Sequence, residues 1–192
     1  MIDLAYLDAC GFAPTLPTSS TWARIGVRPL VPYQATQGRR VHLLGALLTG
    51  PSPRLVAESR TRSIDQTTFL FFVWRHLAGL PAPPASLPAG WRRARPLVIV
   101  LDNAATHRSK AVQAVLPALQ AAGVTLYYLP PYSPQLNRIE PVWRVLKHTK
   151  LQQRSYPNEE ALQAAVDQAV VAYDHQLASS TTASTTSLRQ VA

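Results

Sequence analysis

The segment from Leu97 to Leu129 constrains the fold more than any other part of the 192-residue chain. It begins with the short apolar run LVIVL and ends with the β-forming run VTLYYL, and a stretch of helical character, Ser109–Ala122, lies between them. Gly123 supplies a C-terminal stop for this helix, and Pro117 predicts a kink or an early end within it. A strand, a helix and a strand in this order predict a right-handed βαβ crossover with parallel strands.

Three more strands and three more helices are predicted around this unit from their apolar patterns and flanking turn residues. The strands are expected at Leu4–Asp8, Val41–Thr49 and Arg54–Ser59, the last two pairing antiparallel, and the helices at Ile64–Leu80 (with Ser63 as N-cap), Ile139–Leu151 and Glu159–Gln176. The predicted fold class is α/β, with a mixed central sheet and helices on both faces. Residues 12–40 are expected to form a loop or hairpin that includes Trp22–Gly26, and the Ser/Thr-rich residues 177–192 a flexible tail.

The composition favours a single globular domain, since 47% of the residues are apolar and the chain is long enough to bury a core. The net charge of +9 is concentrated in residues 1–100, where eleven Arg face four acids. This charge favours a polyanionic partner such as nucleic acid, although ordinary solubility charge explains it equally well. Cys10 is the only cysteine, which excludes an internal disulfide and fits a reducing compartment. We find no signal peptide or membrane span and expect a soluble intracellular protein without a membrane partner.

Acidic residues at the ends of predicted elements indicate a metal site. Asp102 directly follows the strand Leu97–Leu101, where open α/β sheets place their reactive groups, and Glu140 lies at a helix start. Asp8, at the exit of the first strand, is the candidate for a third acid. Three carboxylates in one cleft repel one another unless a cation lies between them, and two Mg²⁺ ions roughly 3.5–4 Å apart would support phosphoryl displacement. Asp102 is the candidate for bridging the two ions.

Each acid also has a structural interpretation. Asp102 could cap the following turn, and Asp8 could be an ordinary acid after a strand. Asn137 and Glu140 have the spacing of a capping box, in which Glu140 would reach back to a backbone N–H. However, the stiff sequence PPYSP directs this helix start toward the strand ends, and Asn137 can cap the helix alone, which leaves Glu140 free for metal. Arg144, one turn later, could orient Glu140 or hold a phosphate.

Four basic residues near these acids are candidates for contacting DNA: His107, Lys110, Arg144 and Lys147. For His107 and Lys110, a solvated surface position is the alternative.

Two segments, LDNAATHRSK and LPPYSPQLNRIEPVWRVLK, resemble the catalytic domain of the mariner-like transposases, in particular their bacterial insertion-sequence branch. The resemblance extends from about Leu4 to Tyr173 and implies a ribonuclease-H-like fold with a DDE triad. By motif, the first, second and third acids are Asp8, Asp102 and Glu140. The family commonly has another acid directly after the first, where this chain has Ala9.

The resemblance implies a DDE transposase domain in residues 1–176 that uses two Mg²⁺ ions, for which Mn²⁺ substitutes. Its reactions would be hydrolysis at transposon ends and attack of the freed 3′-hydroxyl on target DNA, usually at the easily deformed TA step. The implied partners are DNA and a second copy of the chain. Family members carry helix-turn-helix domains ahead of the catalytic domain, and none is recognisable before Asp8. We therefore expect a separate DNA-recognition polypeptide or domain, and a location in the nucleoid of the bacterial cytoplasm.

Two other functions remain open at this stage. One is a ribonuclease-H-like nuclease that does not transfer strands. The other is a partner-dependent or inactive remnant that binds DNA or a full-length transposase as a regulator.

Overall fold

A five-stranded mixed sheet forms the centre of the molecule. The computed structural model describes residues 1–14, 22–28, 40–151 and 155–189. The strands are β1 (Asp3–Phe12), β2 (Val41–Thr49), β3 (Arg54–Arg60), β4 (Leu97–Leu101) and β5 (Val124–Tyr128), in the spatial order β3-β2-β1-β4-β5. β2 is antiparallel to both β1 and β3, whereas β1, β4 and β5 are parallel. The predicted mixed sheet and its parallel βαβ unit are therefore confirmed.

Helices cover both faces of the sheet, also as predicted. They are α1 (Gln66–Phe71), α2 (Lys110–Ala121), α3 (Glu140–Val145) and α4 (Glu159–Arg189). α1 and α3 continue into π-helical extensions, Phe72–Leu77 and Leu146–Lys150, and short 3₁₀ turns lie at Pro84–Ser86 and Pro134–Leu136. α1 and α2 pack on one face, and α3 and α4 on the other, so two apolar cores sandwich the sheet. Among the described residues, no helix is both long and apolar enough to cross a membrane.

The first strand is longer than the sequence indicates. β1 continues past Asp8 to Phe12 because residues Ala9–Phe12 keep pairing with β2, up to Phe12 opposite Val41. The prediction that Asp8 lies at the exit of the strand is therefore wrong. Asp8 does lie just beyond the parallel pairing of β1 with β4, which ends at Tyr6. It consequently faces the same edge of the sheet as the end of β4.

The helix ends also depart from the predictions. α1 is capped by Asp65, whose carboxylate accepts a 2.8 Å hydrogen bond from the N–H of Thr68, rather than by Ser63. α2 begins after Ser109 as expected and passes through Pro117 without ending. α4 remains helical through Arg189, so the predicted end at Gln176 is too early.

Only part of the predicted loop or hairpin at residues 12–40 falls within the described residues. There, a turn at Ile25–Gly26 is closed by a 2.9 Å hydrogen bond from the N–H of Val27 to the carbonyl of Arg24. The remainder of that prediction lies outside the described residues.

Candidate active site

A cleft of about 490 Å³ opens beyond the carboxyl ends of β4 and β5. Asp102 and Asn103 reach it from the end of β4, and the proline-rich segment that follows β5 forms its wall. Asp8 enters from β1, and Glu140 from the first position of α3. All three acids predicted from the sequence therefore line one cleft, as do Ala104, Leu129, Pro130, Pro131, Tyr132, Ser133, Pro134 and Asn137.

Strand alternation decides where Asp8 points. On β1, the side chains of Cys10 and Phe12 pack in the core under α3 and α4, and Asp8 has the same parity. Its carboxylate Oδ2 accepts a 3.1 Å hydrogen bond from the indole Nε1–H of Trp143. Trp143 is thus both a core side chain and a partner of the first acid.

Gly45 makes this contact possible. It lies opposite Asp8 in the antiparallel register of β1 and β2. A Cβ atom placed on Gly45 would lie 2.6 Å from Cη2 of Trp143, which is shorter than any normal contact between two carbon atoms. The absence of a side chain at this position leaves room for the indole to lie against β2 and reach Asp8.

The pKa of Asp8 is raised to about 6, mainly because burial penalises the charged form. Hydrogen bonds from the backbone of Ala9 and from Trp143 oppose this rise, whereas the negative charges of Glu140 and Asp102 add to it. The negative charges of both other acids therefore act on Asp8. A cation in the cleft would offset this repulsion.

Asp102 is fixed by a different set of contacts. Its Oδ1 accepts hydrogen bonds from the backbone N–H of Ala104, at 3.1 Å, and from Nδ1 of His107, at 2.8 Å. Because a carboxylate only accepts, Nδ1 carries the proton in this pair. The bond to His107 is the main reason that the pKa of Asp102 is lowered. Oδ1 is thus engaged and Asp102 stays ionised near neutral pH.

The structure does not support a DNA contact for His107, because its side chain is only 3% exposed. The ring packs against Phe69 at 4.5 Å between centroids, and the hydroxyl of Tyr128 donates to the His107 carbonyl at 2.8 Å. His107 instead orients Asp102. The spacing between the two residues was visible in the sequence, but the burial comes from tertiary contacts with α1 and β5.

Asn137 uses both ends of its side-chain amide at the start of the helix that carries Glu140. Its Nδ2 donates a 3.0 Å hydrogen bond to the carbonyl of Leu7, and its Oδ1 accepts a long, 3.5 Å hydrogen bond from the N–H of Ile139, the residue that precedes α3. The predicted cap is therefore present only as this long contact ahead of the helix, and the shorter bond ties the α3 start to β1. Within the described residues, no hydrogen bond or ion pair engages the Glu140 carboxylate, which is exposed. The alternative of a capping box is not realised.

Two of the four predicted DNA contacts lie in a second groove, of about 700 Å³, that adjoins the cleft at Glu140. Arg144 and Lys147 line it together with His148, which no sequence motif indicated. Lys110 is exposed at the start of α2 and is not among the residues lining either cavity. No ion pair joins Arg144 to Glu140 in the described part of the chain, so an orienting role for Arg144 is not seen.

The donor set of the cleft fits a hard divalent cation, because three carboxylate side chains line it. Among the described residues, no three His, Cys, Asp or Glu side chains already converge closely enough to enclose an ion. The carboxylates share the cleft without meeting at one point.

Without metal, the stability of the fold should depend on pH through Asp8. Its pKa is near 3.8 when unperturbed and about 6 in the folded protein, so its stabilising contribution is present below about pH 4 and is lost as the pH rises through about 6. In EDTA, wild type should lose stability as Asp8 ionises, whereas Asp8→Asn should not. The free energy of unfolding of Asp8→Asn, relative to that of wild type, should therefore rise by about 1–3 kcal/mol from about pH 4 to pH 8. Chemical unfolding at both pH values measures this gain. A difference independent of pH, or an equal gain in the exposed control Asp167→Asn, would contradict it.

The family model for the DDE superfamily endonucleases matches residues 3–163. The match spans most of the chain and includes Asp8, Asp102 and Glu140. The chain belongs to the DDE superfamily of endonucleases.

Solved structures similar to this DDE endonuclease domain share its ribonuclease-H-like fold. The catalytic domain of the Mos1 mariner transposase matches with a TM-score of 0.58 and 15% identity, over 91% of this chain and 72% of that one. The Mos1 strand transfer complex matches with a TM-score of 0.60 and 15% identity, over 88% and 47%. The Mos1 paired-end complex with Mn matches with a TM-score of 0.61 and 15% identity, over 92% and 49%. This domain thus spans about half the length of the transposase chains in those complexes. No curated protein matches the sequence.

Proposed function

We propose that this DDE endonuclease is the catalytic domain of a mariner-like transposase of the bacterial insertion-sequence branch. It hydrolyses phosphodiester bonds at transposon ends and transfers the 3′-hydroxyl end to target DNA. The observation that carries the proposal is the convergence of Asp8, Asp102 and Glu140 on one cleft in a chain of the DDE family. Its fold likeness to Mos1, whose structures include a strand transfer complex, supports it.

We infer that Asp8, Asp102 and Glu140 hold two divalent ions, Mg²⁺ or Mn²⁺. Bound there, the ions would supply Lewis-acid activation of the attacking hydroxyl and charge stabilisation at the leaving oxygen. The negative charges of Glu140 and Asp102 both act on Asp8, and bound cations would offset this repulsion. Trp143 holds Oδ2 of Asp8. The N–H of Ala104 and the ring of His107 both bond to Oδ1 of Asp102, which leaves its Oδ2 for an ion.

The groove beside Glu140 is suited to the phosphate backbone of DNA. Arg144, Lys147 and His148 place positive or ionisable groups along it, next to the cleft. Such contacts hold DNA without reading its sequence. We therefore propose that recognition of transposon ends is provided by a separate polypeptide or domain. We also propose that the catalytic domain acts as a homodimer on paired ends. Its place of action would be the nucleoid in the bacterial cytoplasm.

Metal-dependent nicking of plasmid DNA by the purified chain tests the proposal. We expect nicking with Mg²⁺ or Mn²⁺, none with EDTA, and joining of a labelled 3′-hydroxyl oligonucleotide to plasmid when Mn²⁺ is present. Nicking without joining would favour a nuclease that does not transfer strands. Absence of both, with a cooperative thermal unfolding transition, would favour a partner-dependent or inactive remnant.

The groove predicts a salt-dependent contribution to DNA binding. Removing both charges in Arg144→Ala/Lys147→Ala should reduce the slope of log affinity against log salt by about 2, since each neutralised phosphate contributes about one counterion. Arg62→Ala/Arg75→Ala is the matched control, because these exposed arginines line neither cavity. Fluorescence anisotropy with a labelled duplex over a salt series measures both slopes. Equal slopes for the two double variants would remove the groove from the DNA path.

A further inference from the structure

The tip of the proline-rich wall carries a fully exposed aromatic side chain. Tyr132 is 101% exposed and is one of the residues that line the cleft containing the three acids. Within the described residues, its side chain has no hydrogen bond, ion pair or ring contact. A single exposed tyrosine is common on protein surfaces. Its backbone conformation makes this one unusual.

Tyr132 has a φ of +57° and is the one non-glycine residue with positive φ in the described part of the chain. For a bulky L-residue this left-handed conformation costs roughly 1–2 kcal/mol. Glycine or asparagine would adopt it at lower cost, so a tyrosine here gives up stability in exchange for a projecting ring. Backbone strain of this kind concentrates at binding and catalytic sites.

The surrounding loop holds this conformation in place. Pro131 and Pro134 restrict the backbone on both sides of Tyr132. At the near end, the N–H of Leu129 donates to the carbonyl of Leu101 at 2.8 Å, so the loop starts from the end of β5 and β4. At the far end, Asn137 is bonded to β1. The ring is therefore presented from a loop anchored at both ends rather than from a loose tip.

A flat, unpartnered ring at the mouth of a DNA-cutting cleft is suited to stacking on a nucleobase. Bases inside a duplex are covered by their neighbours, so only an unpaired base offers its face. We propose that Tyr132 is a stacking platform for an unpaired nucleobase next to the scissile phosphate. This inference rests on the proposed function, because it requires DNA in the cleft.

Two substitutions distinguish the contribution of the aromatic ring from the effects of the backbone conformation and of the hydroxyl group. Tyr132→Asn removes the ring with a residue that tolerates positive φ, and Tyr132→Phe keeps the ring without the hydroxyl. Tyr127→Asn is the control, since Tyr127 is 57% exposed on β5 and does not line the cleft. The probe is a duplex with a short unpaired tail, carrying 2-aminopurine at the first unpaired position. A fully paired duplex is the matched substrate, and Ca²⁺ replaces Mg²⁺ to prevent cleavage.

Wild type, Tyr132→Phe and Tyr127→Asn should quench the 2-aminopurine fluorescence and bind the tailed duplex equally well. Tyr132→Asn should lose the quenching and bind the tailed duplex about tenfold more weakly, with unchanged affinity for the paired duplex.

Other results would overturn the inference in distinguishable ways. If Tyr132→Asn quenches and binds like wild type, the ring does not stack, although the proposed function stands. If Tyr132→Phe fails like Tyr132→Asn, the contact is made by the hydroxyl and not by the ring face. If Tyr127→Asn shows the same loss, the effect belongs to surface tyrosines in general. If wild type binds neither duplex and does not nick plasmid, the proposed function fails, and the Tyr132 inference fails with it.

Discussion

Replacing Asp102 with Asn, or Glu140 with Gln, is expected to reduce metal-dependent cleavage by roughly a thousandfold or more, with the fold retained. Each change keeps the shape of the side chain and removes one charged ligand oxygen from the cleft. Both residues are exposed, so no core volume is lost. For Glu140→Gln we expect the free energy of unfolding to change by less than about 0.5 kcal/mol. Asp102→Asn should lower it, because the charged hydrogen bond from His107 becomes a neutral one. Nicking rates with Mg²⁺ and Mn²⁺, and Mn²⁺ affinity from calorimetry, measure the effect.

The control for this prediction is Asp167→Asn, which removes the same charge from an exposed position on α4. It should cleave and bind Mn²⁺ like wild type. Wild-type cleavage by either cleft variant would show that the three acids are not the reactive centre. A loss of cleavage shared by Asp167→Asn would show that net charge, rather than the cleft, is responsible.

A single methyl group on β2 should disturb both stability and catalysis. In Gly45→Ala the new Cβ would lie 2.6 Å from the Trp143 ring and 3.2 Å from Cβ of Ala57. Trp143 is only 3% exposed and has little room to move, so we expect a loss of about 1–3 kcal/mol in the free energy of unfolding. Displacing the indole also breaks its hydrogen bond to Asp8, which should weaken Mn²⁺ binding and slow nicking.

A double-mutant cycle identifies the clash as the cause. Trp143→Phe substitutes a smaller ring and removes the N–H donor, and combining it with Gly45→Ala should cost about 1 kcal/mol less than the sum of the single changes. Gly11→Ala is the matched control, because a Cβ on this β1 glycine meets nothing within 4 Å. Purely additive losses, or an equal loss in Gly11→Ala, would exclude a specific contact between Gly45 and Trp143.

The features that could be predicted from the sequence were those encoded locally. The βαβ unit follows from two β-forming runs around a helical stretch, and its turn residues mark its boundaries. Asp102 could be placed because it directly follows a buried strand. Glu140 could be placed because a stiff proline segment precedes its helix. The resemblance to mariner-like transposases then identified Asp8, already a candidate from its strand, as the acid that completes the triad.

The features that the sequence did not reveal depend on contacts between distant segments. The length of β1 is set by its pairing with β2, which no local pattern encodes. Asn137 has the sequence signature of a helix cap, but its shorter hydrogen bond runs to Leu7 on β1, and the capping contact to Ile139 is a long one. The hydrogen bond from Trp143 to Asp8 depends on the missing side chain of Gly45 on another strand.

The bond from Asn137 to Leu7 also bears on when the site forms during synthesis. It joins residues 130 positions apart, and the bond from Trp143 to Asp8 joins residues 135 apart. β1 leaves the ribosome before Trp143, so it cannot acquire these partners until the chain past Trp143 has emerged. Contacts of such long sequence separation form late. The reactive cleft is therefore completed only after α3 has emerged, well after the strand that carries Asp8.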